Sequence, residues 1–319
     1  MRKSYAWDGA RIVDVALVPS PYAFADSPPR RPIVHFDKLY TLAPDVLLGP
    51  VEDALAERVA DASTRRGENF NPNRIYGFPY AFIHDPAAIA VDNALAFDPD
   101  ARLFAAVAMS RLVQPTSAGF EYCARLRQLP DKSQQIIPVS LYHLNPAAFV
   151  IDPGDDWLAP ADVPAIAALF AALQDTQVDK PNRVRAALWY HESGSRSYYF
   201  DVTWGLFTTG LESLIRIKDE KTPGGKRVGS TQAFVHRLLM IGALDPSLGV
   251  SEADLRAMYG LRSAIVHGIM PAGADAQSKE LLRKKQALLR GILRKALTTP
   301  DFAAIFSSDA ALKAALPML

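Results

Sequence analysis

The chain changes character near residues 152–156, where the run Asp-Pro-Gly-Asp-Asp separates two different patterns of apolar residues. Before this run, prolines are frequent and short β-branched segments alternate with helix-like ones. After it, apolar residues recur at intervals of three and four, which is the spacing of amphipathic helices. The sequence therefore predicts an α+β fold with two domains: a mixed α/β module of unknown role at residues 1–155, followed by an all-α helical bundle at residues 156–319.

The first of these domains contains candidate strands and candidate helices. Residues 11–18 are rich in β-branched side chains and end at a Pro-Ser-Pro turn, which predicts a strand. Residues 98–112 begin with acidic side chains and continue with apolar residues at helical spacing, which predicts a helix. On similar grounds we expect extended segments at 32–36, 75–83, 136–142 and 148–151, and a helix at 45–61.

The second domain is predicted to contain six helices and a short helical tail. They should begin at or near residues 160, 182, 198, 231, 251 and 277, with Asn182 as a helix cap, and residues 221–230 should form a glycine-rich basic loop. Ser251 is a predicted N-cap with Asp254 at the third helical position. Gly268 is the residue type preferred just past a helix end, so the fifth helix should end at His267.

Charge and cysteine content limit the possible classes of function. The net charge is +1, so bulk charge does not indicate a polyanion-binding protein. Residues 201–300 hold 15 basic against 9 acidic side chains, which suits either a phosphate-binding region or a solvated helix face. Cys123 is the only cysteine, so neither an internal disulfide nor a cysteine zinc cage can form. Because no signal-peptide or transmembrane pattern is present, we expect a cytoplasmic protein with no membrane partner.

The run Tyr-Gly-Leu-Arg-Ser-Ala-Ile-Val-His-Gly at residues 259–268 combines a fixed cation with a titratable base near a helix end. Tyr259, Ser263 and His267 are spaced four residues apart and lie near one helix face. Arg262 lies about 140° away from His267 around a straight helix, so one helix alone does not bring the two together. Two copies of this helix that face each other would bring an arginine and a histidine together more readily. The alternative is structural: a cation at the helix C-terminus and an arginine in a salt bridge.

This run resembles the signature of the Apea-like group of HEPN domains, Tyr-x-x-Arg-Ser-x-x-Val-His-Gly. The group also has an earlier helix with a Leu-Glu-x-Leu core, which Leu211-Glu212-Ser213-Leu214 matches. The resemblance covers roughly residues 160–298 and implies an all-α HEPN-like bundle for the second domain. Many HEPN domains are metal-independent ribonucleases in toxin–antitoxin, antiviral defence or RNA-processing systems, and they usually pair so that two motifs form one site.

The resemblance implies an RNA endonuclease that acts through attack of the 2′-hydroxyl. His267 would be the general base or acid, Arg262 would stabilise the phosphorane, and Ser263 would orient His267 or a phosphate. Glu212 would hold Arg262 or His267 from a facing helix, or would form a structural lock with an arginine. Tyr259 shares the face of Ser263 and His267. Since a 2′-hydroxyl nucleophile needs no metal, we expect neither a metal nor a cofactor.

Partners and RNA contacts follow from the same resemblance and from the basic stretches. The candidate RNA-binding residues lie in the glycine-rich loop and in the basic run of the last long helix, and they are Lys226, Arg227, Arg283 and Lys284. Lys285 continues this run, which forms either a backbone-binding stripe or a solvated helix face. The expected partners are RNA, a second copy of the HEPN domain, and a regulatory or antitoxin protein. The alternative function is a non-catalytic HEPN module that binds RNA or a protein. Ser263 favours this alternative, because active HEPN nucleases more often have Asn, Asp or His there.

Overall fold

The fold is α+β, with an antiparallel sheet in the first part of the chain and helices in the second, which confirms the predicted class. The computed structural model describes residues 4–7, 12–18, 36–64, 80–85, 99–116, 122–138, 158–174, 181–197, 199–267 and 275–318. The chain divides into unit 1, Met1–Pro146 with Ile151–Ala171, and unit 2, Ala147–Val150 with Ala172–Leu319. The domain boundary predicted at residue 155 lies outside the described residues.

The sheet of unit 1 has six antiparallel strands in the order β2-β3-β4-β1-β5-β6. They are β1 (Val13–Val18), β2 (Tyr40–Ala43), β3 (Val46–Gly49), β4 (Tyr80–His84), β5 (Tyr122–Gln128) and β6 (Gln134–Pro138). Every residue of β1 is buried. A strand that is buried on both sides has a nearly continuous apolar sequence, and in β1 only Asp14 interrupts it.

Helices contact the sheet on both of its faces. α1 (Asp53–Thr64) packs against β1, β5 and β6, and its buried side chains join those of Val15 and Ile83 in one apolar cluster. Neighbouring side chains of a strand point to opposite faces, so Asp14 and His84 lie on the other face. There α2 (Pro99–Val113) contacts β3 and β4. A 3-10 turn at Pro160–Asp162 then leads into α3 (Val163–Gln174).

A buried network of charged side chains surrounds His84 on this second face. His84 Nδ1 lies 3.2 Å from Asp14 Oδ2, and His84 Nε2 lies 3.4 Å from Asp45 Oδ2. Arg125 donates to Asp14 over 2.8 Å, and the Arg102 guanidinium donates to both carboxylate oxygens of Asp45. Burial alone lowers the pKa of His84, but the two carboxylates outweigh it and raise this pKa above its ordinary value. The network therefore favours a buried, protonated imidazole.

Unit 2 is a helical bundle built around α5. Its helices are α4 (Asn182–Arg196), α5 (Phe200–Ile215), α6 (Ser230–Leu244), α7 (Glu252–Val266), α8 (Ala276–Thr298), α9 (Pro300–Ala304) and α10 (Asp309–Ala315). α5 contacts α4, α6, α7 and α8. Its apolar side chains Trp204, Phe207, Leu211 and Leu214 are buried. Across the described ranges, none of the helices has both the length and the apolar character needed to cross a membrane.

A buried ion pair fixes the segment between α5 and α6 to the bundle. Arg237 of α6 is fully buried and donates to both carboxylate oxygens of Glu220 over 2.6 and 2.9 Å. The same guanidinium donates to the backbone carbonyls of Ile215 and Leu316. One side chain thus connects the loop, the end of α5 and the last residues of the described chain.

Two expectations about element boundaries are wrong. Residues 46–49 form β3, not the first turn of a helix, and α1 begins only at Asp53. β3 pairs with strands on both sides, and this tertiary pairing outweighs the helix-like spacing of its apolar residues. Asn182 is the first helical residue of α4, and the cap is Pro181. Most of the segments predicted at 32–36 and 75–83, and all of 148–151, lie outside the described residues.

We predict that His84→Asn destabilises the fold by roughly 3 kcal/mol near pH 6, because it leaves two buried carboxylates without their shared cation. A group whose pKa is raised by folding stabilises the folded state below its unfolded pKa of 6.5, and this contribution is lost as pH rises through the raised pKa. The difference in unfolding free energy between wild type and variant should therefore shrink from pH 6 to pH 9. Urea denaturation at both pH values measures it, and a pH-independent difference contradicts a protonated His84.

Candidate functional site

Of the predicted catalytic residues, Tyr259, Arg262 and Ser263 lie on α7, His267 caps it and Glu212 lies on α5. Both ends of α7 have defined caps. Ser251 Oγ accepts from the Asp254 backbone N–H over 3.1 Å and donates to the Asp254 carboxylate over 2.8 Å, which confirms the predicted N-cap. The helix ends at Val266, and His267 is the C-cap, with its backbone N–H donating to the Ser263 carbonyl over 3.1 Å. Gly268 lies outside the described residues.

Among the predicted site residues at the end of α7, exposure increases along the chain. Tyr259 is buried, Arg262 and Ser263 are half-buried, and His267 is exposed. Val266, an apolar residue, is 62% exposed. At the end of α7, the side chains of Val266 and His267 are therefore open to a ligand or to another chain.

Glu212 of α5 faces α7 and contacts two of the predicted site residues. Tyr259 Oη donates to Glu212 Oε1 over 3.2 Å, and an Arg262 terminal nitrogen lies 3.7 Å from Glu212 Oε2. The flanking Leu211 and Leu214 are fully buried, so α5 has a fixed position under α7. The distance to Arg262 is longer than a hydrogen bond, and the arginine side chain is 32% exposed. Arg262 is thus held loosely and remains open to solvent.

Tyr259 is the aromatic centre of this contact. Its ring lies 5.0 Å from that of Phe234, and the Arg262 guanidinium lies 5.5 Å from the Tyr259 ring centroid. Burial raises the pKa of Tyr259, the negative charge of Glu212 raises it further, and a hydrogen bond with Ser230 opposes the rise. The tyrosine therefore stays a neutral donor that links α7 to α5 and to the start of α6.

Lys285 of α8 is a buried amine behind the Glu212 contact. Its Nζ donates to Thr208 Oγ1 over 2.7 Å and lies 3.4 Å from the Trp204 ring centroid. Burial lowers the pKa of Lys285 well below its ordinary value, and the positive charge of Arg262 lowers it further. The negative charge of Glu212 acts in the opposite direction. Sequence reasoning placed Lys285 in an outward basic run, which is wrong, because the residue lies at helical spacing from Leu282 and Leu289 and shares their buried face.

The structure brings Glu212, Tyr259 and Arg262 together and leaves His267 apart from them. Within the described part of the chain, neither the His267 imidazole nor the Ser263 hydroxyl forms a hydrogen bond. Five residues along a helix correspond to about 7.5 Å of rise and about 140° of rotation. One chain therefore presents the arginine and the histidine of the motif in different directions.

The two residues of α8 that were predicted to bind RNA form local ion pairs. Lys284 Nζ lies 3.0 and 3.1 Å from the carboxylate oxygens of Asp254, and Arg283 donates to Glu280 over 3.1 Å. These contacts favour the alternative of a solvated helix face for this part of the surface.

The two predicted RNA-binding residues of the loop are both exposed. Arg227 lies 3.3 Å from Asp219, and both of these side chains are largely in solvent. The Lys226 side chain has no ion-pair partner among the described residues. The loop, with its weak exposed pair, is thus better suited to contact a phosphate than the α8 pair is.

A cleft of about 840 Å³ lies between α4, α5 and the segment that joins α5 to α6. It is lined by Tyr190, Glu212, Arg216, Lys218 and Arg227, among others. Only Glu212 and Arg227 were candidates from the sequence. Tyr190, Arg216 and Lys218 belong to none of the motifs seen in the sequence, so no pattern of spacing points to them. Among the described residues, no group of three or more His, Cys, Asp or Glu side chains is placed to hold a metal ion.

We predict that Lys285→Met raises the unfolding free energy at pH 7 by roughly 1–3 kcal/mol, the range for removing an incompletely compensated buried polar group. Folding lowers the pKa of Lys285, so the unfolded chain binds the extra proton, and wild-type stability rises towards pH 10 relative to the variant. The gain in unfolding free energy from Lys285→Met should therefore be smaller at pH 10 than at pH 7.

Lys284→Met is the matched control, because Lys284 is 46% exposed and should change stability by less than about 1 kcal/mol. Guanidinium denaturation of the three proteins at both pH values measures these differences. Destabilisation by Lys285→Met at pH 7 would show that the contacts with Thr208 and Trp204 outweigh the cost of burial.

No protein-family model, curated protein or solved structure matches the chain. The features of the chain that bear on its function are the exposed end of α7, the Glu212 contact beneath it and the adjoining cleft.

Proposed function

We propose that this chain is a metal-independent RNA endonuclease with an Apea-like HEPN domain in its helical part. The supporting observation is the exposed end of α7, where His267 caps the helix five residues beyond Arg262, an arginine that Glu212 holds only loosely. Arginine suits a phosphate, and histidine exchanges protons near neutral pH. These are the two kinds of group that RNA cleavage through the 2′-hydroxyl needs.

In the proposed reaction, the RNA supplies its own nucleophile. The His267 imidazole takes the proton of a 2′-hydroxyl, and the 2′-oxygen forms a bond to the adjacent phosphorus. The bond from phosphorus to the 5′-oxygen of the next nucleotide breaks, and this oxygen receives the proton that the imidazole took up. The products are a 2′,3′-cyclic phosphate and a 5′-hydroxyl. Arg262 stabilises the additional negative charge of the phosphorane, so the reaction needs no metal ion.

Glu212 and Tyr259 act as positioning residues in this proposal. Glu212 and Tyr259 hold the Arg262 side chain over the end of α5, and the long ion pair leaves the guanidinium able to bind a phosphate oxygen. The Ser263 hydroxyl makes no bond within the described part of the chain, so it can donate to a phosphate. Its other expected role, to orient His267, stays a prediction.

A homodimer completes the proposed site. Arg262 and His267 of one α7 point in different directions, so an arginine from one copy and a histidine from another are the better pair. The exposed Val266 on the same turn gives this helix end an apolar side chain for contact with a second copy.

A second candidate function is a non-catalytic HEPN module that binds RNA or a protein partner. The observation that favours it is the contact of Glu212 with both Tyr259 and Arg262, which has the form of a structural lock between α5 and α7. In that case Arg262 serves to hold the bundle together and the exposed His267 is a surface residue.

The setting that fits an endonuclease of this kind is a cytoplasmic toxin–antitoxin or antiviral defence system. An unregulated ribonuclease harms the cell that makes it, so we propose that a regulatory or antitoxin protein controls this one. Its contact surface would include the last turn of α7, because covering that turn blocks access to Arg262 and His267.

We predict that the purified protein cleaves single-stranded RNA in the presence of EDTA, and that His267→Ala and Arg262→Ala each lower the rate by roughly 100-fold or more. His236→Ala is the control, because His236 lies on α6 and contacts the carbonyl of Pro317 instead of α7. Cleavage by both α7 variants at the wild-type rate rules out the assigned site. Binding that weakens steeply with salt, but without cleavage, supports the second candidate.

A mixture of the two inactive variants tests the composite site. In a mixed dimer, the His267→Ala chain supplies Arg262 and the Arg262→Ala chain supplies His267. With random exchange of subunits, about a quarter of the wild-type sites are then intact. We expect the mixture to regain cleavage to about this level, whereas a site formed within one chain regains none.

A further inference from the structure

The cleft beside Glu212 has the dimensions of a small-ligand site. Its volume of about 840 Å³ lies within the range of about 300–1,000 Å³ that is typical of ligand pockets. The Tyr190 ring of α4 contributes to one wall, and Thr209 and Ser213 of α5 contribute to another. Glu212 also lines the cleft, so the cleft adjoins the contact between α5 and α7.

Each of the three acidic residues that line the cleft already has a cationic partner. The pairs are Glu220 with Arg237 at 2.6 Å, Asp219 with Arg227 at 3.3 Å, and Glu212 with Arg262 at 3.7 Å. These partners offset the negative charge of the lining. Any further cation in the wall therefore gives the cleft a positive character.

Two further cations line the cleft, Arg216 and Lys218. Both are exposed, and neither has an ion-pair partner within the part of the chain that the structure describes. Ile217 between them is 7% exposed and fixes the segment to the bundle. Arg216 follows α5 with an extended backbone, at φ −84° and ψ 135°. Both side chains line the same cleft, as an anion-binding pair requires.

The opposite part of the lining suits an aromatic heterocycle with polar edges. Tyr190 is half-buried and offers a ring on which a base can stack. Thr209 Oγ1 donates to the Gly205 carbonyl and Ser213 Oγ donates to the Gly210 carbonyl, so both hydroxyl oxygens keep lone pairs that can accept from a ligand amino group.

We propose that this cleft binds one nucleotide of an RNA strand, with a phosphate at Arg216 and Lys218 and the base against Tyr190. The inference rests on the proposed ribonuclease function and adds a substrate subsite to it. Because Glu212 belongs both to the cleft and to the Arg262 contact, a bound strand runs directly from the cleft to α7. The base enters the cleft only when it is unpaired, so the substrate is single-stranded RNA.

Charge changes in the cleft test this proposal without altering the α7 motif. We expect Lys218→Glu and Arg216→Gln each to weaken binding of a single-stranded RNA oligonucleotide by roughly tenfold and to reduce the salt slope by about 1. Lys313→Glu on α10 and Arg256→Gln on α7 are the matched controls, because they make the same changes at exposed positions. Each control should keep its affinity within about twofold.

A photo-crosslink locates the bound base directly. RNA that carries 4-thiouridine should crosslink to the α4 peptide that contains Tyr190, and Lys218→Glu should lower the yield in parallel with the affinity. Tyr190→Leu should remove this crosslink while the circular dichroism spectrum stays unchanged.

These experiments measure binding, so their outcome is separate from that of the cleavage assay. Selective loss of affinity in the cleft variants, with the crosslink in α4, supports the subsite even when the wild type cuts no RNA. If Lys218→Glu and Lys313→Glu lower the affinity for RNA equally, the subsite is overturned even when the wild type cleaves RNA in EDTA. Crosslinks confined to other peptides, or a wild type that binds no RNA, overturn it as well.

Discussion

The carboxylate of Glu212 connects the elements on which the proposed site depends. One oxygen accepts from Tyr259, the other faces Arg262, and the same side chain lines the cleft between α4 and α5. A single acidic residue on a well-buried helix thus sets the position of an arginine near the exposed end of another helix. The pair is long and partly open to water, so it orients the guanidinium and leaves it free to bind phosphate.

Buried polar groups help to define the geometry of the helical unit, because their hydrogen bonds require a specific arrangement that apolar packing alone does not. Arg237 satisfies its donors only when Glu220, the end of α5 and the last residues of the described chain are all in place. This requirement fixes the loop that forms one wall of the cleft. Such pairs cost desolvation free energy, so their gain is in a defined arrangement more than in stability. Arg216 and Lys218 project from the segment that is positioned in this way.

The sequence could predict the elements whose signals are local. Helical spacing placed α5, α7 and α8, and the serine at the start of α7 identified its cap, because both depend on neighbouring residues. Features that depend on distant contacts were not predictable. β3 has the apolar spacing of a helix and becomes a strand through its pairing partners. The buried charge network of His84 has no local sequence signal, because Asp14 and Asp45 approach His84 only in the folded sheet.

The candidate site shows the same difference between residues with a local sequence signal and residues that meet only in the folded chain. Tyr259, Arg262, Ser263 and His267 could be named from one run of sequence, and the resemblance added Glu212. The structure does not test their chemistry, which stays a prediction. Neither the cleft nor the burial of Lys285 was predicted. The burial of Lys285 could have been predicted, because the residue lies at helical spacing from the buried Leu282 and Leu289. The cleft had no such signal, since its wall residues meet only after α4, α5 and the connecting loop have packed.

Analysis of the RNA ends after incubation with the protein in EDTA tests the central claim most directly. Attack by the 2′-hydroxyl, with Arg262 and His267 as the acting groups, leaves a 2′,3′-cyclic phosphate on one fragment and a 5′-hydroxyl on the other. The 5′-hydroxyl fragment should therefore accept a labelled phosphate from polynucleotide kinase without prior phosphatase treatment. Fragments that begin with a 5′-phosphate, or RNA that remains intact, would contradict the account.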